Sequence, residues 1–581
     1  MNLPTDTMPC KPIWIAGAGF NDEYADFYPV AALLPGHSYK LRIAADTDYN
    51  VFVDGVLIGF GQYSDNPDRL IYDDYGISVP ESRDTPSALK ITAWHSGIDS
   101  QCHIKHPAYV AFALFENGKP VPGGCSDENT PSSFNPSYIQ RRCRSITSQL
   151  GAGFGTVSPM RTKAIPEAAL GHGGFAAKPQ GASVSAAESS LSGSASDNNR
   201  ELFGCSDSQE GFKKCLFSSS SVTQLELSAV LPRPNRRLVF DEKITGTAVR
   251  TGFFRADAAL SDDPGKLMTE AVLTDVSLSA GNAEAVSCKA DCIAPLCTDS
   301  SEKMPGESIE GSFYVFDLGE ETVGYPEISF ESDEEACMFV GWGEHLTDGI
   351  CRTVIGGRRF AFDYFGHRGQ NLLFPSFRRL GCRYIQLFIS GNPKLVSLSF
   401  RPVIYPAQVL PADFDTSGER GALRERIRNT AIHTLRCCMH EHYEDCPWRE
   451  QSLYTLDSRN QMLAGYRVFA DGNREMVRSS LDLMSRGIRP DGIMQLCFPA
   501  GKDYPIPFYS LAWFVQFDEY LNFTDDTEFA AEKLPVLRGL MDSILSRMIT
   551  DGEFASLCPR YPESRKIWNF YEWSDSMSGA N

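Results

Sequence analysis

The hydrophobic period changes near Pro411, and this change constrains the fold more than any other feature of the 581 residues. Ahead of it, apolar residues come in short alternating runs separated by Gly, Asp and Asn, the pattern of antiparallel strands that bury one face. YNVFVDGVLIGFGQ reads as two strands joined at Asp54-Gly55, a dipeptide that accepts the positive φ angles of a tight hairpin, and Asn117-Gly118 offers a second such turn. Beyond Pro411 the period becomes about 3.6. Leu423, Ile427, Ala431 and Leu435 define one apolar helix face and Leu537, Met541, Ile544 and Met548 another, with helices predicted over 458–470, 473–485 and 508–523 between them. The segment FYSLAWFVQFDEYL is apolar nearly all round, which predicts a helix buried between layers.

These patterns divide the chain into four parts. Residues 1–135 read as an amino-terminal β-sandwich and 239–410 as a second antiparallel β-sandwich. Between them, 136–238 is a connecting region whose Ser-, Gly- and Ala-rich stretch at about 171–222 has little apolar surface to offset its ordering entropy, so it reads as flexible. Residues 411–581 hold about five helices of a toroid or bundle.

Charge narrows the partners. With 54 Lys and Arg against 74 Asp and Glu, the formal net charge of −20 repels phosphate backbones and anionic lipid, which argues against nucleic acid or a membrane. The opening MNLPTDTMPCKPIW lacks the basic start and apolar core of a signal peptide, and no apolar run has the length of a membrane span. Together with 17 cysteines in no disulfide framework, this points to a reducing cytoplasm.

EHYEDCPWREQSLYTLDSRNQ, in the connection between the first two helices of the carboxyl-terminal part, concentrates Asp445, Arg449, Glu450 and Asp457 beside Trp448 and Tyr454. Carboxylates next to aromatic faces suit carbohydrate chemistry: a shielded carboxyl can protonate a glycosidic oxygen while ionised neighbours grip hydroxyls. Asp457 also fits the N-cap of the following helix, and Glu450 fits a solvated loop acid or an Arg partner. Cys437, Cys438, His440, His442 and Cys446 cluster nearby, but without CxxC pairs the spacing matches no common zinc site, and buried thiols and loop histidines are the default.

DCPWREQSLYTLD resembles the DCPxRE signature of the α-L-rhamnosidases of glycoside hydrolase family 78. FDLGEETVGYPEISF, GEHLTDG and FRRLGCRYIQL resemble the β-sandwich ahead of that family's (α/α)6 six-hairpin barrel, and DYNVFVDGVLIGFGQ its amino-terminal, sugar-binding-like sandwich. PFYSLAWFVQFDEYLNFTDD and WNFYEWSD resemble barrel segments. The resemblance implies two β-sandwich domains followed by a partial (α/α)6 barrel, and an inverting glycosidase that releases terminal α-L-rhamnose from glycosides or polysaccharides. Glu450 takes the general acid role, Asp445, Arg449 and Asp457 bind rhamnose hydroxyls, and Trp513, Trp568 and Trp573 form an apolar wall. Glu572 stands where the family commonly has Asp before the Trp. No cofactor or metal is implied. The general base belongs to the later half of the barrel and is expected beyond Asn581. The alternative is a non-catalytic carbohydrate-binding protein that keeps the sandwiches and half a barrel.

Overall fold

The computed structural model describes residues 8–61, 63, 69–141, 220–222, 230–276, 307–374, 377–501 and 505–547, with the backbone of short strands within 145–163 and 549–556. Both expected hairpins form. Asp54 and Gly55 have φ of 49° and 78°, and Asn117 and Gly118 have 50° and 76°, the paired positive values a two-residue turn requires. Val53 pairs with Val56, and Glu116 with Lys119, across these turns.

The amino-terminal sandwich has two sheets. One runs Ser220–Val222, Ile13–Ile15, Tyr109–Glu116, Ser38–Asp46, Leu70–Ser78 and Val230–Pro232, with Lys119–Cys125 beside Tyr109–Glu116. The other runs Ser132–Phe134, Glu23–Phe27, Leu89–His95, Asp48–Val53 and Val56–Gly61. Ile13, Phe27, Leu41, Ile43, Val51, Ile91, Val110, Phe112 and Leu114 are fully buried in the core shared by these strands, the one-face alternation read in the sequence. Two strands assigned to the connecting region, Ser220–Val222 and Val230–Pro232, instead close the edges of this domain. Backbone pairing decided their place, and so short a run has no periodicity to reveal it. The remainder of the Ser-rich stretch, 171–219, lies outside the described residues.

Among the described residues, the second strand region is built on an 11-stranded sheet, with Leu346–Thr347 paired to Ile350–Cys351 and Val354–Ile355 paired to Arg358–Arg359 as separate short ribbons. Its long strand, Ser308–Ser332, pairs with Thr247–Asp257 and Leu380–Ser390 through its first half and with Lys394–Ile404 and Gly369–Leu373 through its second. A register break between Asp317 and Thr322 lets the halves enclose one core, in which Tyr314 and Phe316 join Ile328, Phe330, Leu387 and Leu398. The short helix α1 (Pro264–Glu270) covers a second core with Leu267 and Met268 against Phe254, Phe313 and Phe388.

Five further helices follow: α2 (Gly418–Cys437), α3 (Thr455–Val468), α4 (Asn473–Arg486), α5 (Pro507–Thr524) and α6 (Thr527–Arg547). Three lie within a few residues of their predicted bounds, but the buried faces differ. On α2, Leu423 and Ile427 are exposed, and the buried residues are Gly421, Ile432, Leu435 and Cys437. On α5, Leu511 and Val515 are exposed while Trp513, Phe517 and Tyr520 are buried, so this helix packs through one face rather than all round. Met541 of α6 is also exposed, beside buried Leu540 and Ile544, and Met548 lies outside the described residues. The helical core is continuous with the sheet: Leu238, Tyr325, Val403 and Tyr405 pack with Leu435, Met439, Tyr443 and Trp513. No helix among the described residues is long and apolar enough to cross a membrane.

Candidate active site

The segment joining α2 to α3 is clamped from several sides. It closes on itself where Asp445 N–H donates to Ser452 O and Ser452 N–H donates to Asp445 Oδ1, both at 3.0 Å. Its middle lies against the strand Leu380–Ser390, where a Cβ added to Gly381 would sit 2.2 Å from the Pro447 carbonyl oxygen, so only glycine permits this approach. Gln451 Nε2 donates to Pro447 O at 2.7 Å and to Arg379 O at 3.2 Å, tying the loop to the same sheet.

Glu450 is 7% exposed. Its Oε2 accepts a hydrogen bond from Tyr454 Oη at 2.9 Å, and its Oε1 lies 2.7 Å from Arg449 Nε and 3.9 Å from Arg358 Nη2. The Asp445 carboxyl faces Glu450. Burial, then the charge of Glu450, pushes Asp445 well above the usual carboxylate range. Two buried carboxyls this close do not both ionise readily.

The amino-terminal sandwich reaches into this site. Gln101, 2% exposed, donates from Nε2 to Tyr454 Oη at 3.1 Å, which continues to Glu450. The loop bearing Gln101 is pinned by Asp46, whose two carboxylate oxygens each lie 2.7 Å from a ring nitrogen, on His95 and His103. Burial opposes ionisation of Asp46, but the two imidazoles outweigh it and hold the carboxyl well below its ordinary value. Gly501 N–H donates to the Ser100 and His103 carbonyls, joining the loop to the helical part.

Beside the loop, Arg379 Nη2 donates to Glu441 Oε2 at 2.5 Å and to Glu444 Oε1 at 3.0 Å. Burial would raise Glu444, but Arg379 and His440 prevail and bring it down to about 2. Asp48, across the interface, is pushed up to about 7 by burial and by Glu441. A cleft open to solvent runs between these groups, bounded by all three parts of the chain and reaching Arg449 and Glu450.

Asp445, Arg449 and Glu450 thus come together. Asp457 is exposed on the first turn of α3, with Tyr509 Oη 3.5 Å from its Oδ2. It is not the N-cap, a position held by Tyr454, because the helix begins at Thr455, ahead of the Ser458 start that the cap reading requires. Trp513 is not a sugar wall: it is completely buried in the helical core and donates its indole N–H to Leu481 O at 3.3 Å. Trp568 and Trp573 lie outside the described residues. The thiols and imidazoles near the loop have structural uses: His440 faces Glu444, His442 Nδ1 bonds Tyr443 O at 2.7 Å, and burial pushes Cys437 up to about 12. Sequence reasoning missed Gln101, Arg358 and Arg379, which reach the loop from strand domains and carry no local signal. Tyr454 was visible as an interleaved aromatic, but its hydroxyl role was not.

Residues 414–576 match the family model of the bacterial alpha-L-rhamnosidase 6 hairpin glycosidase domain. No curated protein matches the chain. Among solved structures, the GH78 family rhamnosidase of Bacillus sp. GL1 superposes with a TM-score of 0.67 at 15% identity, covering 93% of this chain and 70% of that one. The alpha-L-rhamnosidase of Dictyoglumus thermophilum gives 0.58 at 12% identity, covering 93% and 52%. That of Streptomyces avermitilis, solved with L-rhamnose, gives 0.55 at 13%, covering 92% and 43%. At these identities the structural likeness establishes the fold, and the family model establishes the domain. Residues 414–576 therefore match the bacterial alpha-L-rhamnosidase 6 hairpin glycosidase domain, and the chain as a whole has the fold of the solved rhamnosidases.

Proposed function

We propose that the chain belongs to a glycoside hydrolase that acts on terminal α-L-rhamnosides by inversion at the anomeric carbon, and that it supplies the general acid, Glu450. The observation that carries this reading is the buried Asp445 and Glu450 pair, held by Arg449 and Tyr454 at the rim of a cleft inside a rhamnosidase-family domain. A carboxyl pair that retains a proton can hand it to a glycosidic oxygen, and the neighbouring guanidinium then stabilises the carboxylate left behind. Asp445, Arg449 and Asp457 hold the rhamnose hydroxyls through charge-assisted hydrogen bonds. An inverting enzyme also needs a second carboxylate to activate water on the opposite ring face, and none of the described residues is given that role. Carbohydrate is the partner in this reading.

The test is hydrolysis of 4-nitrophenyl α-L-rhamnoside by protein that also carries the general base, the chain of 581 residues alone being expected to turn over very poorly, followed by proton NMR to identify the first-formed anomer of L-rhamnose. The reading predicts release of β-L-rhamnose and no release from the corresponding α-D-mannoside or α-D-glucoside. Retention of the α-anomer would overturn the inverting mechanism. Binding of L-rhamnose without turnover would favour the non-catalytic carbohydrate-binding alternative.

A further inference from the structure

The Tyr454 hydroxyl has one proton to donate, and its neighbours decide where that proton points. Gln101 Nε2 lies 3.1 Å from the hydroxyl oxygen and Glu450 Oε2 2.9 Å from it. An amide N–H can only donate, whereas a carboxylate oxygen accepts, so with Gln101 donating into the hydroxyl oxygen the phenolic proton is sent to Glu450. Cys497 fixes which end of the amide faces inward. It lies opposite Tyr454 in an isolated antiparallel bridge, and its thiol donates to the Gln101 backbone carbonyl at 3.5 Å. With that proton spent, the sulfur accepts from Gln101 Nε2 at 3.0 Å. The Gln101 Oε1 is buried and has no hydrogen-bond partner among the described residues, so the side chain is used only as a donor. Burial, then the acidic groups around it, pushes Tyr454 well above its ordinary range, which keeps the hydroxyl protonated and able to donate in turn.

The Gln101 side chain is not what docks the amino-terminal sandwich. Its loop is anchored without that amide, by Asp46 on His95 and His103 and by Gly501 N–H on the Ser100 and His103 carbonyls. Ser100, Cys102 and His103 line the cleft, but neither Gln101 nor Tyr454 does. Both residues therefore act on anything bound in the cleft through the Glu450 carboxyl group.

We infer that Gln101 is a positioning residue for the general acid: its amide directs the Tyr454 hydroxyl proton onto Glu450 Oε2 and so holds the carboxyl group in one orientation. The amino-terminal sandwich then takes part in the chemistry of the helical domain. This rests on the reading above, in which Glu450 delivers the proton.

The experiment is a double-mutant cycle on kcat, in protein that also carries the general base, with 4-nitrophenyl α-L-rhamnoside and a rhamnoside of an alkyl alcohol as substrates. Gln101→Met keeps the length of the side chain and removes both N–H donors. It should leave KM within about twofold and lower kcat for the alkyl rhamnoside ~5-fold, the worth of about one hydrogen bond. The loss should be smaller for the nitrophenyl substrate, whose leaving group needs little protonation. In a Tyr454→Phe background the same substitution should change kcat by at most about twofold, because the amide then has no hydroxyl to direct. Gln101→Asn, which keeps the amide but withdraws it by one methylene, should show the same pattern and carries the test if the Met variant does not fold. Losses that add in the cycle, an equal loss for both leaving groups, or wild-type kcat in the folded variant would each overturn the inference. Glu450→Gln assayed alongside separates the two readings. If it loses equally on both substrates, Glu450 is not the acid and both readings fall; if its loss is confined to the alkyl rhamnoside while the cycle is additive, this inference alone falls.

Discussion

Gly381→Ala adds one methyl group where the sheet meets the acid-bearing loop. The new Cβ would lie 2.2 Å from the Pro447 carbonyl oxygen and 2.3 Å from its carbonyl carbon, whereas ordinary contact begins near 3.4 Å. The surfaces must separate by ~1.2 Å, the difference of those two oxygen distances. Strand Leu380–Ser390 is hydrogen-bonded on both sides, so the loop is the partner that moves. Pro447 stands three residues before Glu450, and the far end of the loop is tied through Tyr454 to Gln101. A shift of that size therefore turns the Glu450 carboxyl relative to its partners. Overpacking of this kind costs about 1 to 3 kcal/mol of stability, and misplacing a catalytic group by ~1 Å costs on the order of 100-fold in rate. The assay is kcat for 4-nitrophenyl α-L-rhamnoside, in protein that also carries the general base, at a temperature well below unfolding, with calorimetry on the same sample. The variant should melt a few degrees lower yet be fully folded at the assay temperature, and it should lose ~100-fold in kcat. Wild-type kcat in the folded variant would refute the argument that the sheet positions the acid through Gly381.

Tyr454→Phe removes the hydroxyl that links Gln101 to Glu450 and should lower kcat by roughly 10-fold with little change in KM, the value of about one charge-assisted hydrogen bond; an altered KM at constant kcat would make Tyr454 a binding residue instead. Stability should vary with pH at both ends of the range. Asp48, at about 7 in the folded chain and near 4 when unfolded, binds more protons folded than unfolded between those values. Stability therefore falls as pH rises from about 4 to 7, and Asp48→Asn should abolish that slope in pH-resolved urea melts. Glu444, lowered to about 2, behaves oppositely: its contribution is complete above about 4.5 and is lost as pH falls toward 2. Glu444→Gln should flatten the acid limb, and a limb unchanged by it would contradict the pairing with Arg379.

Much of the fold was legible because its signals are local. Asp54-Gly55 and Asn117-Gly118 specify their turns by residue type alone, and the loop motif gathers Asp445, Arg449 and Glu450 within six positions, so any compact turn brings them together. Helix positions followed from periodicity, but what each face meets did not. Leu423 and Ile427 mark an apolar stripe of α2, yet its buried apolar side chains are Ile432, Leu435 and Cys437 near its end. Trp513 looked like a sugar platform because tryptophan suits both a core and a sugar, and only packing showed it in the core. The groups that complete the site from a distance, Gln101, Arg358, Arg379 and Asp48, belong to strand domains read separately from the helices. Their roles depend on how three units dock, for which no residue spacing carries a signal. The same docking alters the reading of the amino-terminal sandwich, which supplies both a brace for Tyr454 and a wall of the cleft.

The central claim, that Glu450 delivers the proton to the leaving group, is tested most directly by comparing two substrates in one variant. Glu450→Gln preserves shape and can still accept from Tyr454, but it cannot act as an acid. For a rhamnoside with a sugar or alkyl leaving group, which departs only when protonated, kcat should fall by about 100- to 10,000-fold. For 4-nitrophenyl α-L-rhamnoside, whose phenolate leaves unaided, the loss should be at most about 10-fold. An equal loss for both substrates would contradict the account and move the general acid to another residue.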